Sequence, residues 1–166
     1  RDRALIEWLR CTAMRKGEVA GVRINQINWQ QGKVTIYGSK GHAFRTVCLD
    51  AIALKYLREY IEERGLDEGS SQPLFTHIKG DQSRALTKAG IYSEVKRIAS
   101  ASGLSRRVYP HLFRKTTATN IVRRGGTDSD AGIYLGHKLK GVAAEHYVAR
   151  SDDTTIKIFR EYVAAI

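Results

Sequence analysis

The sequence predicts a mainly α-helical fold with one small antiparallel sheet of three strands, an α+β arrangement. Apolar residues recur at helical spacing over most of the chain, whereas residues 24–49 contain three short β-rich runs separated by glycine-containing turns. The chain has 166 residues and 42% of them are apolar, which suits a single domain with a substantial core. We therefore expect residues 1–166 to form one domain.

The first half of the chain is predicted to place its helices around a three-stranded meander. Gln31-Gly32 and the glycines at positions 38 and 41 mark the turns between the strands. Asp50 is a suitable N-cap for the helix that follows the sheet. The predicted helices cover residues 3–14, 16–22 and the stretch from Asp50 to about Arg64, and the predicted strands are Ile24–Trp29, Lys33–Tyr37 and Phe44–Leu49.

The second half is predicted to be helical apart from a short apolar element at Pro73–Phe75 and the loops. Ser151-Asp152-Asp153 is a strong N-cap signal for the last helix. The predicted helices cover about residues 87–102, 110–124, 128–135, 141–149 and 153–165.

The charge balance points to a polyanionic partner. Lys and Arg outnumber Asp and Glu by 28 to 17, a formal net charge of +11, which favours nucleic acid ahead of a membrane surface. No apolar run approaches the roughly 20 residues that a spanning helix needs, and no secretory signal pattern is visible. Cys11 and Cys48 lack metal-ligand spacing and are expected to be reduced core residues of a cytoplasmic protein.

The segment Tyr109–Thr116 holds a histidine and an arginine three residues apart, directly after a proline. Because positions i and i+3 share a helix face, His111 and Arg114 are expected together at a helix N-terminus, where the dipole favours a phosphate. Taken alone, such a pair is more often a chance occurrence or a cap. The stretch from Ser105 to Thr127 also carries six cations and no acid, which favours nucleic-acid binding over a solvated basic face. These cations are Arg106, Arg107, Arg114, Lys115, Arg123 and Arg124.

Other chemistry-bearing residues are ambiguous one by one. Arg15 lies between two helical stretches, three residues before Glu18, which could brace a guanidinium or cap the short helix. Lys40 lies in a glycine-flanked turn between two strands, where a solvated lysine is the plainer interpretation. Tyr147 follows small residues on a predicted helix, where packing is a commoner role than nucleophilic attack. Tyr134 and Tyr162 are its rivals, and Tyr134 has a core-like sequence context.

Taken together, these residues resemble the catalytic domain of the tyrosine recombinases, the phage-integrase family, over essentially the whole chain. Thr12-Ala13-Met14-Arg15 resembles the first arginine box, with Glu18 as its acidic partner and Ala13 where a glycine is common. Pro110–Arg114 resembles the His-x-x-Arg box and Leu135-Gly136-His137 the Leu-Gly-His box. Lys40 resembles the lysine of the β-hairpin, and Tyr147 the nucleophile, one residue farther from His137 than is common.

The resemblance implies the roles of individual residues. The catalytic groups would be Arg15, Lys40, His111, Arg114, His137 and Tyr147, with Glu18 in support, and the DNA-binding residues would be Arg106, Arg107, Lys115 and Lys138. No metal and no cofactor are implied, because cations of the protein stabilise the phosphate. The family also carries an N-terminal core-binding domain, and this chain begins with Arg1 rather than Met, so we expect it to begin inside a longer protein.

The implied reaction cuts and rejoins double-stranded DNA through a 3′-phosphotyrosyl intermediate, in a recombinase or integrase from a phage or mobile element. The alternatives are a non-catalytic DNA-binding module, a chromosome-dimer resolvase and a nicking-closing enzyme like the type IB topoisomerases. The resemblance also suggests self-association, as a tetramer on DNA, by docking of the helix at 153–165 onto a neighbouring copy. The alternative is that this apolar helix packs on its own domain.

Overall fold

The fold consists of helices and a small sheet that pack around the first helix. The structure is a computed structural model, and it describes residues 1–36, 45–78, 83–137 and 151–164, without the side chains of Ser151 and Asp152. Over these ranges the predicted fold class is confirmed. The helices are α1 (Asp2–Thr12), α2 (Lys16–Val19), α3 (Ala51–Glu62), α4 (Lys88–Ala101), α5 (Pro110–Arg123), α6 (Asp128–Leu135) and α7 (Ser151–Ile158), and the strands are β1 (Ile27–Asn28), β2 (Lys33–Ile36) and β3 (Arg45–Cys48).

The sheet is an antiparallel meander in the order β1-β2-β3, with Val34 opposite both Ile27 and Val47. The prediction of a strand over Ile24–Trp29 was largely wrong, since Ile24–Gln26 form a 3₁₀ turn and β1 has only two residues. The side chain of Gln26 accepts a hydrogen bond from the backbone N of Arg23 at 2.9 Å. The backbone N of Gln26 donates to Arg23 O at 3.1 Å, so local hydrogen bonds replace strand pairing there.

Most predicted helices are present, with small shifts at their ends. The cap at Asp50 is confirmed, because its Oδ1 accepts a hydrogen bond from the backbone N of Ala53 at 2.9 Å. The first helix ends at Thr12 rather than residue 14, because Ala13 adopts a left-handed conformation. The second predicted helix, 16–22, ends at Val19. The helix predicted at 141–149 lies outside the described residues.

The C-terminal helix packs on its own domain. It begins by Ser151, two residues before the predicted start, and continues from α7 into a π-helix at Phe159–Val163. The ring of Phe159 stacks on that of Tyr134, with centroids 6.4 Å apart. Nη1 of Arg124 donates to the carbonyl oxygens of Tyr162 and Ala164, at 3.1 and 3.3 Å. The predicted docking onto a neighbouring copy stays a prediction.

The core forms where α1 meets the sheet, α3 and α5. Trp8 is fully buried and meets the ring of Phe75 edge-on at 5.9 Å, and Leu74 is also buried, so two of the three residues of the predicted apolar element at Pro73–Phe75 lie in the core. Cys11 and Cys48 are buried and form no disulfide, as expected of reduced core cysteines. None of the helices in the described ranges is both long and apolar enough to span a bilayer.

Candidate active site

The site begins at the turn that joins α1 to α2. Ala13 caps α1 with φ 47° and ψ 30°, and its backbone N donates to Leu9 O at 3.1 Å. A residue with a β-carbon rarely adopts this conformation, for which glycine is the usual choice. The turn brings Arg15 to the N-cap of α2, where half of its side chain remains exposed. Arg15 can therefore reach a ligand from the surface.

Arg114 joins this turn to the end of α6. Its side chain rises from the first turns of α5 and is buried. Nη1 donates to Ala13 O and Nη2 donates to Leu135 O at 3.0 Å. Burial, together with the charges of Arg15 and Arg45, lowers the pKa of Arg114 to about 10. The guanidinium thus stays charged at neutral pH. Its two hydrogen bonds to backbone carbonyls fix its orientation.

Glu18 is the acidic centre of the site. Its carboxylate accepts hydrogen bonds from the backbone N of Arg15 at 2.8 Å and from Nη1 of Arg15 at 3.1 Å. It also accepts from both Nη atoms of Arg45, at 2.9 and 2.8 Å. Although burial would raise it, these arginines hold the pKa of Glu18 at about 2. Of the two predicted roles for Glu18, bracing a guanidinium and capping α2, the structure has both.

Arg45 is a site residue that the sequence interpretation missed. It opens β3, and its side chain is mostly buried between Glu18 and the end of α6. The available signal was a single charge in the otherwise uncharged strand predicted at Phe44–Leu49. That signal is weak, because one face of an antiparallel strand is commonly solvated. Only the packing of β3 against the site decides which way the side chain points.

The two histidines complete the described part of the site. His111 is exposed and directly follows Pro110, the first residue of α5. His137 follows Gly136, the left-handed C-cap of α6, and its backbone N donates to Gly132 O at 2.9 Å. Partial burial, followed by the charges of Arg114, Arg15, Arg45 and His111, lowers the pKa of His137 below its usual value. A lowered pKa favours the neutral imidazole, which is the form that can accept a proton.

The structure therefore brings together four of the six predicted catalytic residues. They are Arg15, His111, Arg114 and His137. Lys40 and Tyr147 lie outside the described residues, as does Lys138. Tyr134, a rival nucleophile, is buried and donates its hydroxyl to Cys11 O, and burial raises its pKa well above the usual value. It is a core residue, as its sequence context predicted.

A cationic surface surrounds Tyr92 on α4. Nη2 of Arg107 donates to the phenol oxygen of Tyr92 at 3.0 Å, and this hydrogen bond lowers the pKa of Tyr92. The ammonium groups of Lys16 and Lys96 lie 5.7 and 5.9 Å from the centre of the same ring. Lys16 directly follows Arg15, so this surface adjoins the site. We call these four residues the Tyr92 surface.

Two further predicted DNA-binding residues, Arg106 and Lys115, lie elsewhere on the exposed surface. Arg106 borders a groove of about 560 Å³ between α5 and residues 162–164. Lys115 is exposed on α5. In the described ranges, no three His, Cys, Asp or Glu side chains are grouped so that they could hold a metal ion. Arg15, Arg45 and Arg114 contribute positive charge to the described part of the site.

Comparisons with known proteins identify similar chains. The chain is 29% identical over 140 residues to tyrosine recombinase XerD of Pseudomonas aeruginosa, covering 82% of this chain and 46% of that protein. It is 29% identical over 137 residues to tyrosine recombinase XerC of Xylella fastidiosa, covering 82% and 45%. The chain thus spans about half the length of the curated relatives it matches.

Solved structures share the fold. The crystal structure of XerA recombinase superposes with a TM-score of 0.72 at 23% identity, covering 95% of this chain and 55% of that one. The XerH site-specific recombinase bound to difH substrate, a pre-cleavage complex, gives 0.67 at 26% identity, covering 98% and 43%. The model of the phage integrase family matches residues 1–154. The chain therefore belongs to the phage integrase family, that of the tyrosine recombinases.

Proposed function

We propose that this chain is the catalytic domain of a site-specific DNA recombinase, which cuts and rejoins strands through a 3′-phosphotyrosyl intermediate. The observation that carries the proposal is Arg114, a buried arginine held by two backbone carbonyls beside Arg15 and His137. A cation fixed in this way, next to a second arginine and a histidine, suits a phosphodiester that gains charge in its transition state.

The two arginines would grip the non-bridging oxygens of the scissile phosphate. Arg114 is oriented before substrate arrives, so little reorganisation is needed when charge develops. Arg15 is half exposed and is braced by Glu18, which leaves it able to close on the phosphate. Arginine suits this role better than lysine, since its planar fork matches two oxygens and it stays charged.

The proton transfers would involve Tyr147, His137 and Lys40. Tyr147 attacks phosphorus and loses its proton to a neighbouring group, for which His137 is suited because its lowered pKa favours the neutral imidazole. The bond from phosphorus to the 5′-oxygen breaks, and Lys40 supplies the proton that this oxygen takes up. The roles of Lys40 and Tyr147 rest on the family resemblance. Rejoining is the same reaction in reverse, with the 5′-hydroxyl as nucleophile.

Double-stranded DNA is the proposed partner. The XerH relative was solved with its difH substrate, and the Tyr92 surface of this chain places cations and a phenol next to Arg15. We assign phosphate contacts to this surface and to Arg106, Lys115 and Lys138, since exposed Lys and Arg supply most non-specific affinity. Origin in a phage or mobile element remains part of the proposal, as does tetramer formation on DNA.

The test uses suicide duplexes, nicked near the scissile position and carrying randomised recognition segments. The chain, alone and joined to any segment that precedes it in the native protein, is incubated with the pool and run on a denaturing gel. We expect a covalent protein–DNA adduct that is lost in Tyr147→Phe and kept in Tyr162→Phe. Salt-sensitive binding without any adduct would instead favour the non-catalytic DNA-binding module.

A further inference from the structure

Arg45 has no role in the proposed reaction, yet it contacts both Glu18 and the turn that leads to His137. Both of its Nη atoms bond the two carboxylate oxygens of Glu18, at 2.9 and 2.8 Å. The side chains of Arg45 and Glu18 are only 12% and 18% exposed, so solvent screens this pair weakly. A two-pronged pair in this setting fixes the direction of both side chains.

Glu18 passes this orientation on to Arg15. The same carboxylate that Arg45 holds accepts the backbone N and Nη1 of Arg15. The side chain of Arg15 is 49% exposed, and its only described side-chain bond is to Glu18. The position of the Arg15 guanidinium therefore depends on where Arg45 holds Glu18.

Arg45 also lies against the turn that carries His137. A β-carbon on Gly136 would lie 2.6 Å from Cδ of Arg45 and 3.1 Å from its Nε. The side chain of Arg45 thus covers the left-handed cap of α6, one residue before His137. A glycine is needed there both for its φ of 63° and for the approach of Arg45.

We propose that Arg45 is a positioning residue for phosphodiester cleavage. It fixes the position of the Arg15 guanidinium through Glu18, and it packs against the Gly136–His137 turn and holds that turn in place. This inference rests on the proposed function and adds a residue to it. Arg45 itself does not touch the reacting atoms. Its loss lowers the cleavage rate without lowering the affinity for DNA, because the groups it orients act on the transition state.

The experiment measures single-turnover cleavage of a suicide duplex selected from the randomised pool. Arg45→Gln is expected to lower the cleavage rate about 10- to 100-fold, the usual cost of releasing an orienting contact, with an unchanged dissociation constant for the duplex. Arg45→Lys keeps the charge but cannot make the paired hydrogen bonds to Glu18, so we expect a cleavage rate between those of Arg45→Gln and the unmodified chain. Glu18→Gln combined with Arg45→Gln should be no slower than the slower single variant, because both remove one linkage.

Arg58→Gln is the matched control. It removes an arginine whose Nε bonds Glu68 at 2.8 Å and which makes no described contact with the site, so its cleavage rate should equal that of the unmodified chain. An unchanged rate in Arg45→Gln, or additive losses in the double variant, would overturn the inference. If Arg45→Gln does not fold, as judged by circular dichroism, Arg45→Lys decides by the same criteria.

A second readout is independent of cleavage. Histidine NMR titration of the chain should give a higher pKa for His137 in Arg45→Gln than in Arg58→Gln, since a nearby cation has gone. If the unmodified chain forms no adduct, the proposed recombinase activity fails. In that case an unchanged His137 signal in Arg45→Gln would also overturn the placement of Arg45 over the turn.

Discussion

Ala13 offers a quantitative test of the turn on which the site is built. It adopts φ 47°, is fully buried, and supplies a carbonyl that accepts from Arg114. The left-handed conformation costs a residue with a β-carbon about 1–2 kcal/mol. Replacement by glycine removes that cost. It also loses a buried methyl, about 0.8 kcal/mol, and gains the freedom of glycine in the unfolded chain, about 0.5–1 kcal/mol.

The matched control is Ala53→Gly, in the first turn of α3, where the alanine is also fully buried but helical. This control should lower the free energy of unfolding by about 1.5 kcal/mol, the sum of the methyl and glycine costs. Ala13→Gly should leave it almost unchanged, because relief of the left-handed conformation offsets the same losses. Urea unfolding measures both changes in free energy, provided that the two variants share the same dependence of that free energy on urea concentration. Equal losses in the two variants would refute the reasoning.

Three further predictions concern neighbouring residues. Gly136→Ala should lower the free energy of unfolding, measured with urea, by at least about 1 kcal/mol more than Gly103→Ala. Both glycines have a positive φ, but only a methyl group at position 136 would collide with the side chain of Arg45. Glu18 has a folded pKa of about 2 against an ordinary 4.5, so its stabilisation is full above pH 4.5 and disappears as the pH falls towards 2. Between pH 5 and 2, the free energy of unfolding measured with urea should therefore fall less steeply in Glu18→Gln than in the unmodified chain. Parallel curves for the two chains would contradict this. Tyr134→Phe should lower the free energy of unfolding by about 1–2 kcal/mol and keep the covalent adduct; loss of the adduct in a folded variant would contradict a purely structural role for Tyr134.

The sequence predicted the parts of the site that have local signals. The proline and the spacing of His111 and Arg114 identified the start of α5, and the i, i+3 spacing identified the pair of Arg15 and Glu18. Capping chemistry also placed the start of α3 at Asp50. These features depend on residues close in sequence, so a single sequence contains them.

What the sequence could not predict depends on residues brought together by the fold. Arg45 contacts Glu18, 27 positions away in sequence, and Gly136, which is farther away still. The residues of its own strand do not predict either contact. Tyr92 likewise gains two of its three cations from elsewhere in the chain, Lys16 from α2 and Arg107 from the loop before α5. The error at Ile24–Gln26 had another cause, since a side-chain hydrogen bond of Gln26 outweighed the β-propensity of the run.

The central claim is that a tyrosine of this chain attacks a DNA phosphate at a site fixed by Arg114. The most direct measurement is mass spectrometry of the adduct after digestion with a protease and a nuclease. We predict a nucleotide joined through its 3′-phosphate to the peptide that contains Tyr147. We also predict that Arg114→Ala forms no adduct, although the duplex still binds. A nucleotide joined to any other residue, or an adduct of undiminished yield in Arg114→Ala, would contradict the account.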